Sequence, residues 1–441
     1  MIRTLDLRGT ATDAATLRAA VPRAQVDVAH AAEQARALID EVREGGAEAL
    51  ADQAERFDGV RPAAIRVSES EIARAVAALR PAVREALEEA IRRVRAVSVA
   101  ALPVPVATEL AEGGIVALRW QPVSRVGLYV PGGKAVYPSS VIMNAVPALV
   151  AGVGSLVLAS PPQKDFAGGI HPTILGAAGL LGLDEVYAMG GAGAIGALAH
   201  GVPDLGLEPV ELVTGPGNVW VAAAKRIVRG VVGIDAEAGP TEILVIADES
   251  ADPVLLAVDL VSQAEHDELA AAVLVTDSED LAGRVRAELG LLSESTRKGT
   301  RVRAALSGEQ SALVLVDDLA AAVRFSNAYG PEHLELQVSD PDALLAAIDG
   351  AGAIFVGEDA PVSLGDYLAG SNHVLPTGGQ ARFASGLGVH TFLRPQQVIR
   401  YDREALSTVS GHIVALADAE DLPAHGEAVL ARFRDAEGPS A

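Results

Sequence analysis

Apolar residues recur at helical spacing through roughly the first hundred positions, then give way to short apolar runs of the kind that build strands. Ala/Glu/Arg-rich periodic stretches near 26–43, 71–79 and 82–99 predict helices, and Ser68-x-x-Glu71 has the form of a capping box. Residues 1 to about 105 therefore read as a helical arm or layer. Thr108 to Trp120, broken by Gly113-Gly114, predicts a β-hairpin. From about 123 to 236, runs at Val126–Val130, Ser155–Ala159, Glu185–Ala188 and Val210–Val213 alternate with helix-like segments, the rhythm of βαβ units in a mostly parallel sheet. A second series, from about 243 to 356, has runs at Ile243–Ile246, Ala272–Val275, Ala312–Val316 and Ala353–Val356. Beyond about 376 a Gly-rich loop leads to helix-like stretches at 403–417 and 420–435. The pattern predicts an α/β chain of two tandem Rossmann-like domains with an N-terminal helical arm and a small C-terminal helical tail. Its expected divisions are 1–122 for the helical region and hairpin, 123–236 and 237–375 for the α/β domains, and 376–441 for the tail.

Composition narrows the class. At 441 residues, half of them apolar, the chain can bury a large core and should divide into domains. The apolar run around Val141 to Ser160 is interrupted by Asn144, Pro147 and glycines, so no membrane span is expected. The start, Met1 to Asp6, lacks the apolar stretch of a signal peptide, and a cytoplasmic location is expected. Cysteine is absent, which removes disulfides, thiolate metal ligands and any cysteine thiohemiacetal. A net charge of -23 argues against a nucleic-acid surface and favours cationic ligands and metal ions. A negatively charged cofactor would need backbone amides or a helix N-terminus to hold its phosphates.

Within this frame the run Tyr329-Gly330-Pro331-Glu332-His333-Leu334-Glu335-Leu336 sets a carboxylate and an imidazole side by side at the mouth of a strand begun by a Gly-Pro turn. Such a pair suits general acid/base chemistry; turn hydrogen bonding is the plainer reading. Gly191-Ala192-Gly193-Ala194-Ile195-Gly196 follows a strand and opens a helix in the GxGxxG pattern. Its acidic partner is missing from the next strand, where Glu211 lies too early, and close helix packing explains the same glycines. Tyr129-Val130-Pro131-Gly132-Gly133-Lys134 and Thr214-Gly215-Pro216-Gly217-Asn218 end two other strands, so glycine turns converge on the carboxyl edge of one sheet. There Tyr129 could stack on a flat ring, and Asn218 could cap a helix or bond a cofactor. Gln263-x-x-His266 shares a helix face, and Asp366, His373 and His425 follow in later segments. Amide, carboxylate and imidazole without thiolate would suit zinc or another borderline ion, whereas a solvated helix end is the plainer source of the Gln263/His266 spacing. His30, His171, His200, His390 and His412 lack comparable context, and surface or structural roles are expected of them.

Taken in order, Leu128-Tyr129-Val130-Pro131-Gly132-Gly133, Gly215-Pro216-Gly217-Asn218, Ala238-Gly239-Pro240-Thr241-Glu242, Ser262-Gln263-Ala264-Glu265-His266, Gly330-Pro331-Glu332-His333 and Gly370-Ser371-Asn372-His373 resemble the histidinol dehydrogenases over nearly the whole chain. The resemblance implies oxidation of L-histidinol to L-histidine through the aldehyde with two NAD, the last step of histidine biosynthesis, by a homodimer whose subunits share active sites. It implies one zinc per subunit, held by Gln263, His266, Asp366 and His425, the last from the partner and carried by a dimerising tail. It implies Glu332 and His333 as the catalytic pair, and substrate contacts at Thr241, Gln263, His266, Glu332, His333, Asp366, His373, Glu420 and His425. NAD contacts are implied at Tyr129, Gly193 and Asn218 in the first α/β domain. Gly193 departs from the family's common Gln, which puts the NAD pose in doubt, and Thr241 replaces a frequent Ser while keeping its hydroxyl. The alternatives are a relative oxidising another small polar alcohol, a zinc hydrolase in which Glu332 activates water, and a metal-dependent interaction protein without catalysis.

Overall fold

The computed structural model describes residues 2–10, 13–24, 28–132, 136–237 and 239–434. Positions 26 and 27 of the first periodic stretch, Gly133 and Lys134 of the first glycine turn, Ala238, position 435 and the side chain of His30 lie outside the described residues. In chain order the strands are β1 (Arg3–Asp6), β2 (Val106–Ala111), β3 (Gly114–Pro122), β4 (Arg125–Tyr129), β5 (Ser155–Ser160), β6 (Val186–Ala188) and β7 (Leu212–Thr214). They continue with β8 (Gly233–Ile234), β9 (Glu242–Ala247), β10 (Ala271–Thr276), β11 (Ala312–Leu315), β12 (His333–Gln337), β13 (Ala353–Val356) and β14 (Leu393–Tyr401). The chain forms two units, Met1–Ala101 with Val123–Phe392, and Leu102–Pro122 with Leu393–Ala441.

The first unit holds two parallel sheets. One runs β6-β5-β4-β7-β8, the other β1-β11-β10-β9-β12-β13. Numbered from their own first strands, both follow the order 3-2-1-4-5 of a doubly wound sheet, with β1 added to the second beside β11. The central strands read as unbroken apolar runs because both faces are covered: every residue of β9, β10 and β11 is buried. Helix Val28–Phe57 packs on helices Gly191–His200 and Val219–Val228, while Glu69–Ala78 covers Pro172–Leu180 and Pro81–Ala100 covers Pro138–Ala151. These three N-terminal helices form an outer layer on the helices of the first sheet, whereas helix Ala14–Ala20 packs on helix Leu319–Tyr329 beside the second.

Local chemistry explains the helix boundaries. Ser68 accepts from the Glu71 N–H and Glu71 answers on the Ser68 N–H, completing the capping box that the sequence predicts. Helix Val28–Phe57 breaks at Gly46, whose φ of 57° only glycine adopts cheaply, and Asp204 Oδ2 caps the Ala47 N–H at 3.0 Å. β1, β8 and β14 are strands that the hydropathy reading did not include. β1 has only four residues, β8 has two, and the exposed alternation of β14 resembles a polar loop.

The second unit is built on the expected hairpin. β2 and β3 pair antiparallel, and β14 pairs antiparallel along the other side of β3 from Leu393↔Pro122 to Tyr401↔Gly114. Helices Arg403–Ala419 and Pro423–Leu430 pack against each other in this unit. Among the described residues, no helix is long and apolar enough to cross a membrane.

Candidate active site

Parallel pairing of β12 with β9 sets His333 opposite Ile243. Glu332 therefore comes to the peptide of Glu242, the first residue of β9. The Glu242 N–H donates to Glu332 Oε2 at 2.9 Å, and its carbonyl oxygen lies 3.0 Å from His333 Nδ1. A carbonyl can only accept, so Nδ1 carries the proton and Nε2 keeps its lone pair. Both side chains are buried, 6% and 5% exposed. Burial lowers the His333 pKa from 6.5, which keeps the ring neutral, although the nearby Asp366 and Glu242 oppose the shift. Burial pushes the Glu332 carboxyl up to about 8 despite donors from Thr241 and Glu242. The outcome is a neutral base beside a carboxyl that can exchange a proton near neutral pH.

Around this pair the second sheet and its helices place the other predicted residues. Gln263, 2% exposed in the last turn of helix Pro253–Ala264, donates through Nε2 to Thr241 Oγ1 at 2.7 Å. Thr241 in turn donates to Glu332 Oε2 at 2.6 Å. That use of Nε2 leaves the Gln263 carbonyl oxygen for a cation. Asp366, in the short helix Val362–Tyr367, is near enough to act on Glu332, His333 and His373, and His266 acts on His373 as well. The His373 Nδ1–H donates to the Asp366 carbonyl at 3.0 Å, so its Nε2 accepts from the Ser140 hydroxyl at 3.0 Å. Thr241, Gln263, His266, Glu332, His333, Asp366 and His373 thus share one neighbourhood at the amino edge of the second sheet. Among the described residues no group of three or more His, Cys, Asp and Glu is gathered as a metal cage. Gln263 is not of those types, and the remaining implied ligand, His425, belongs to the second unit. There His425 is exposed on helix Pro423–Leu430, and Glu420 caps the end of helix Arg403–Ala419.

The glycine turns gather at the carboxyl edge of the first sheet. Gly215 has a φ of 114°, and a Cβ there would strike the Tyr129 carbonyl oxygen. Asn218 caps helix Val219–Val228 by accepting through Oδ1 from the Trp220 and Val221 N–H groups, which leaves its Nδ2 donors exposed. Among the described residues, Ser160 Oγ and Thr214 Oγ1, at the ends of β5 and β7, are buried without hydrogen-bond partners. Tyr129 is only 3% exposed; its hydroxyl accepts from the Gly191 N–H at 3.1 Å, so it supports the neighbouring turn from within the core. A Cβ at Gly193 would run into Gln53 Oε1, and this glycine lets its helix pack against Val28–Phe57.

Sequence reasoning missed Arg23, the Glu242 side chain and Ser140, each of which reaches the site through tertiary contact; Arg23 and Ser140 also stand outside the quoted motifs, and Glu242 was given no role within its own. It also left Glu335 unassigned. Fully buried two residues beyond His333 on the same strand face, Glu335 accepts from the Val362 N–H at 3.1 Å, with the Gln337 side chain close by. Burial, with the nearby Asp259, pushes its pKa from 4.5 to about 8. A carboxyl whose pKa is raised by folding costs nothing below its unfolded pKa, and its cost grows as pH climbs toward the folded value. Glu335→Gln should therefore raise stability by less than about 1 kcal/mol at pH 5, where the cost has only begun, and by on the order of 4 kcal/mol at pH 8, read by urea unfolding at both pH values. Equal destabilisation at both would contradict the assignment.

Comparison with known proteins agrees with this geometry. Residues 21–433 match the sequence profile of the histidinol dehydrogenase family. The chain is 67% identical over 434 residues to a histidinol dehydrogenase of Leifsonia xyli subsp. xyli, covering 98% of this chain and 100% of that one. It is 58% identical over 432 residues to the Nocardia farcinica enzyme, with 97% of each chain covered. A crystal structure of histidinol dehydrogenase from Elizabethkingia anophelis superposes with a TM-score of 0.91 at 30% identity, covering 98% of both chains. With its fold and its motifs both in place over almost its whole length, the chain belongs to the histidinol dehydrogenase family, the oxidoreductases of the last step of histidine biosynthesis.

Proposed function

We propose that this protein oxidises L-histidinol to L-histidine through L-histidinaldehyde, passing two hydrides in succession to NAD, as a cytoplasmic, zinc-dependent homodimer. The observation that carries the reading is the His333 tautomer: Nδ1–H is spent on the Glu242 carbonyl, so Nε2 is free to accept a proton. In the first half-reaction His333 Nε2 takes the hydroxyl proton as hydride leaves the same carbon for the nicotinamide. In the second, Glu332 in its ionised form takes one proton from a water adding to the aldehyde carbon, the hydrate passes its hydride to the second NAD, and the carboxylic acid so formed releases its proton to solvent as the carboxylate. With no cysteine in the chain, water adds directly.

The donor set fits a metal: a Gln263 carbonyl oxygen left free by the bond to Thr241, the His266 imidazole and the Asp366 carboxylate, with His425 of the partner subunit as the fourth. Bound there, zinc would supply positive charge to hold the substrate's amine and imidazole. Thr241, His373 and Glu420 complete the proposed substrate contacts. For NAD the support is the exposed Nδ2 of Asn218, the helix N-terminus that it caps and the glycine turn before it. Tyr129 and Gly193 contribute by shape, one supporting Gly191 and the other keeping its helix close.

Adding histidinol and NAD to the zinc-loaded enzyme should raise the NADH absorbance band, chelation should abolish the rise, and returning zinc should restore it. A zinc hydrolase would give no NADH with any substrate, and that result would sink the reading. A dehydrogenase of another small polar alcohol would respond to that alcohol and remain silent with histidinol.

A further inference from the structure

Glu242 meets both members of the catalytic pair through its backbone, and its own side chain is a carboxylate only 3% exposed. Such a group is retained only where cations or donors compensate it. Arg23 does so, with Nε 2.5 Å from Oε1 and Nη2 3.2 Å from Oε2, and the Gly378 N–H adds a third donor at 3.1 Å. The same guanidinium reaches the other side of the site. Nη2 donates to the Tyr329 carbonyl at 2.6 Å and approaches the Gly330 carbonyl at 3.3 Å. Its plane lies over the Tyr329 ring, 3.9 Å from the centroid. Tyr329 and Gly330 end a helix, and Gly330, at a φ of 62°, turns the chain through Pro331 into Glu332. One planar fork therefore clamps the start of β9 to the turn that delivers the pair. A lysine ammonium cannot reproduce this, since it is a point donor without a planar fork or a flat face to stack.

We propose that Arg23 is a positioning residue for the reaction, fixing the separation of Glu332 and His333 and the proton location on His333 by holding Glu242 against the Tyr329-Gly330 turn. The inference rests on the proposed roles of Glu332 and His333. Arg23 touches neither side chain, so its effect passes through the Glu242 peptide. Loosening that peptide weakens the acceptor that keeps the proton on His333 Nδ1 and admits water to the ring. Turnover falls, and the acid limb of kcat/KM shifts, because the Glu242 carbonyl and the exclusion of water both act on the imidazole.

The test compares Arg23→Lys, the double variant Arg23→Met/Glu242→Gln and His333→Asn with wild type, all full-length and zinc-loaded. Arg23→Lys should lower kcat by about tenfold to a hundredfold. Its KM for histidinol should stay within about twofold, and its acid limb should shift by about half a pH unit or more. The double variant buries no unpaired charge, so its melting temperature should approach wild type while its kcat stays low. If Arg23→Lys does not fold, the double variant carries the test. Wild-type kcat and an unmoved acid limb in the Arg23 variants, with His333→Asn inactive, would overturn this inference alone and leave the pair a structural clamp. An inactive wild type would overturn the functional reading and this inference with it.

Discussion

Replacing His333 with Asn should lower kcat by on the order of 10³-fold, because the enzyme loses the only proposed acceptor for the substrate's hydroxyl proton. Asn is a demanding choice for this test. Its amide can still donate to the Glu242 carbonyl, as His333 Nδ1 does, so the strand mouth keeps its hydrogen bond while Nε2 disappears. The pH profile supplies a second reading. A neutral base works only above its own pKa, and burial lowers that of His333 from 6.5, so wild-type kcat/KM should fall along an acid limb centred below 6.5. In His333→Asn that limb should vanish, leaving a low rate whose remaining pH dependence is that of Glu332. Turnover within tenfold of wild type, with the limb intact, would remove His333 from the chemistry.

The second large effect concerns how subunits share a site. The first unit supplies Gln263, His266 and Asp366, while His425 and Glu420 sit in the second, so the reading assigns each site a ligand from its partner. Glu332→Ala and His425→Ala should each be nearly inactive, about 10³-fold below wild type. In a mixed dimer, the site with an intact Glu332 would receive an intact His425 from the other chain. Half of randomly reassociated dimers are mixed and each has one such site of two, so mixing should recover about a quarter of wild-type activity. No recovery after verified subunit exchange would mean that His425 serves its own chain or neither.

Much of the fold was legible in the chain because the two α/β series obey simple periodicity. β9, β10 and β11 are apolar on both faces, and the predicted strands at Ile243, Ala272 and Ala312 begin within a residue or so of the observed ones. What escaped was what tertiary pairing alone creates. β1 is four residues that become a strand only by lying along β11, and β14 reads as polar because it pairs on the far side of β3 with one face in solvent. The site divides in the same way. Glu332, His333, Gln263 and His266 stand in short motifs whose spacing is visible, whereas the Gln263-Thr241-Glu332 relay and the hold of Arg23 on Glu242 join residues 22, 91 and 219 positions apart. Asn218 answered to two readings at once, since its oxygen caps a helix while its nitrogen remains exposed. The GxGxxG pattern was less informative than it looked: Gly193 serves contact with Gln53 and the helix over it, a packing role that any close helix pair would require.

The central claim is a four-electron oxidation in one site, and the most direct measurement is the number of NADH formed per histidinol consumed by the zinc-loaded enzyme in excess NAD, with the product identified. Two NADH and free histidine are the predicted result. One NADH with histidinaldehyde as the end product would contradict the second half-reaction assigned to Glu332, and no NADH would contradict the account as a whole.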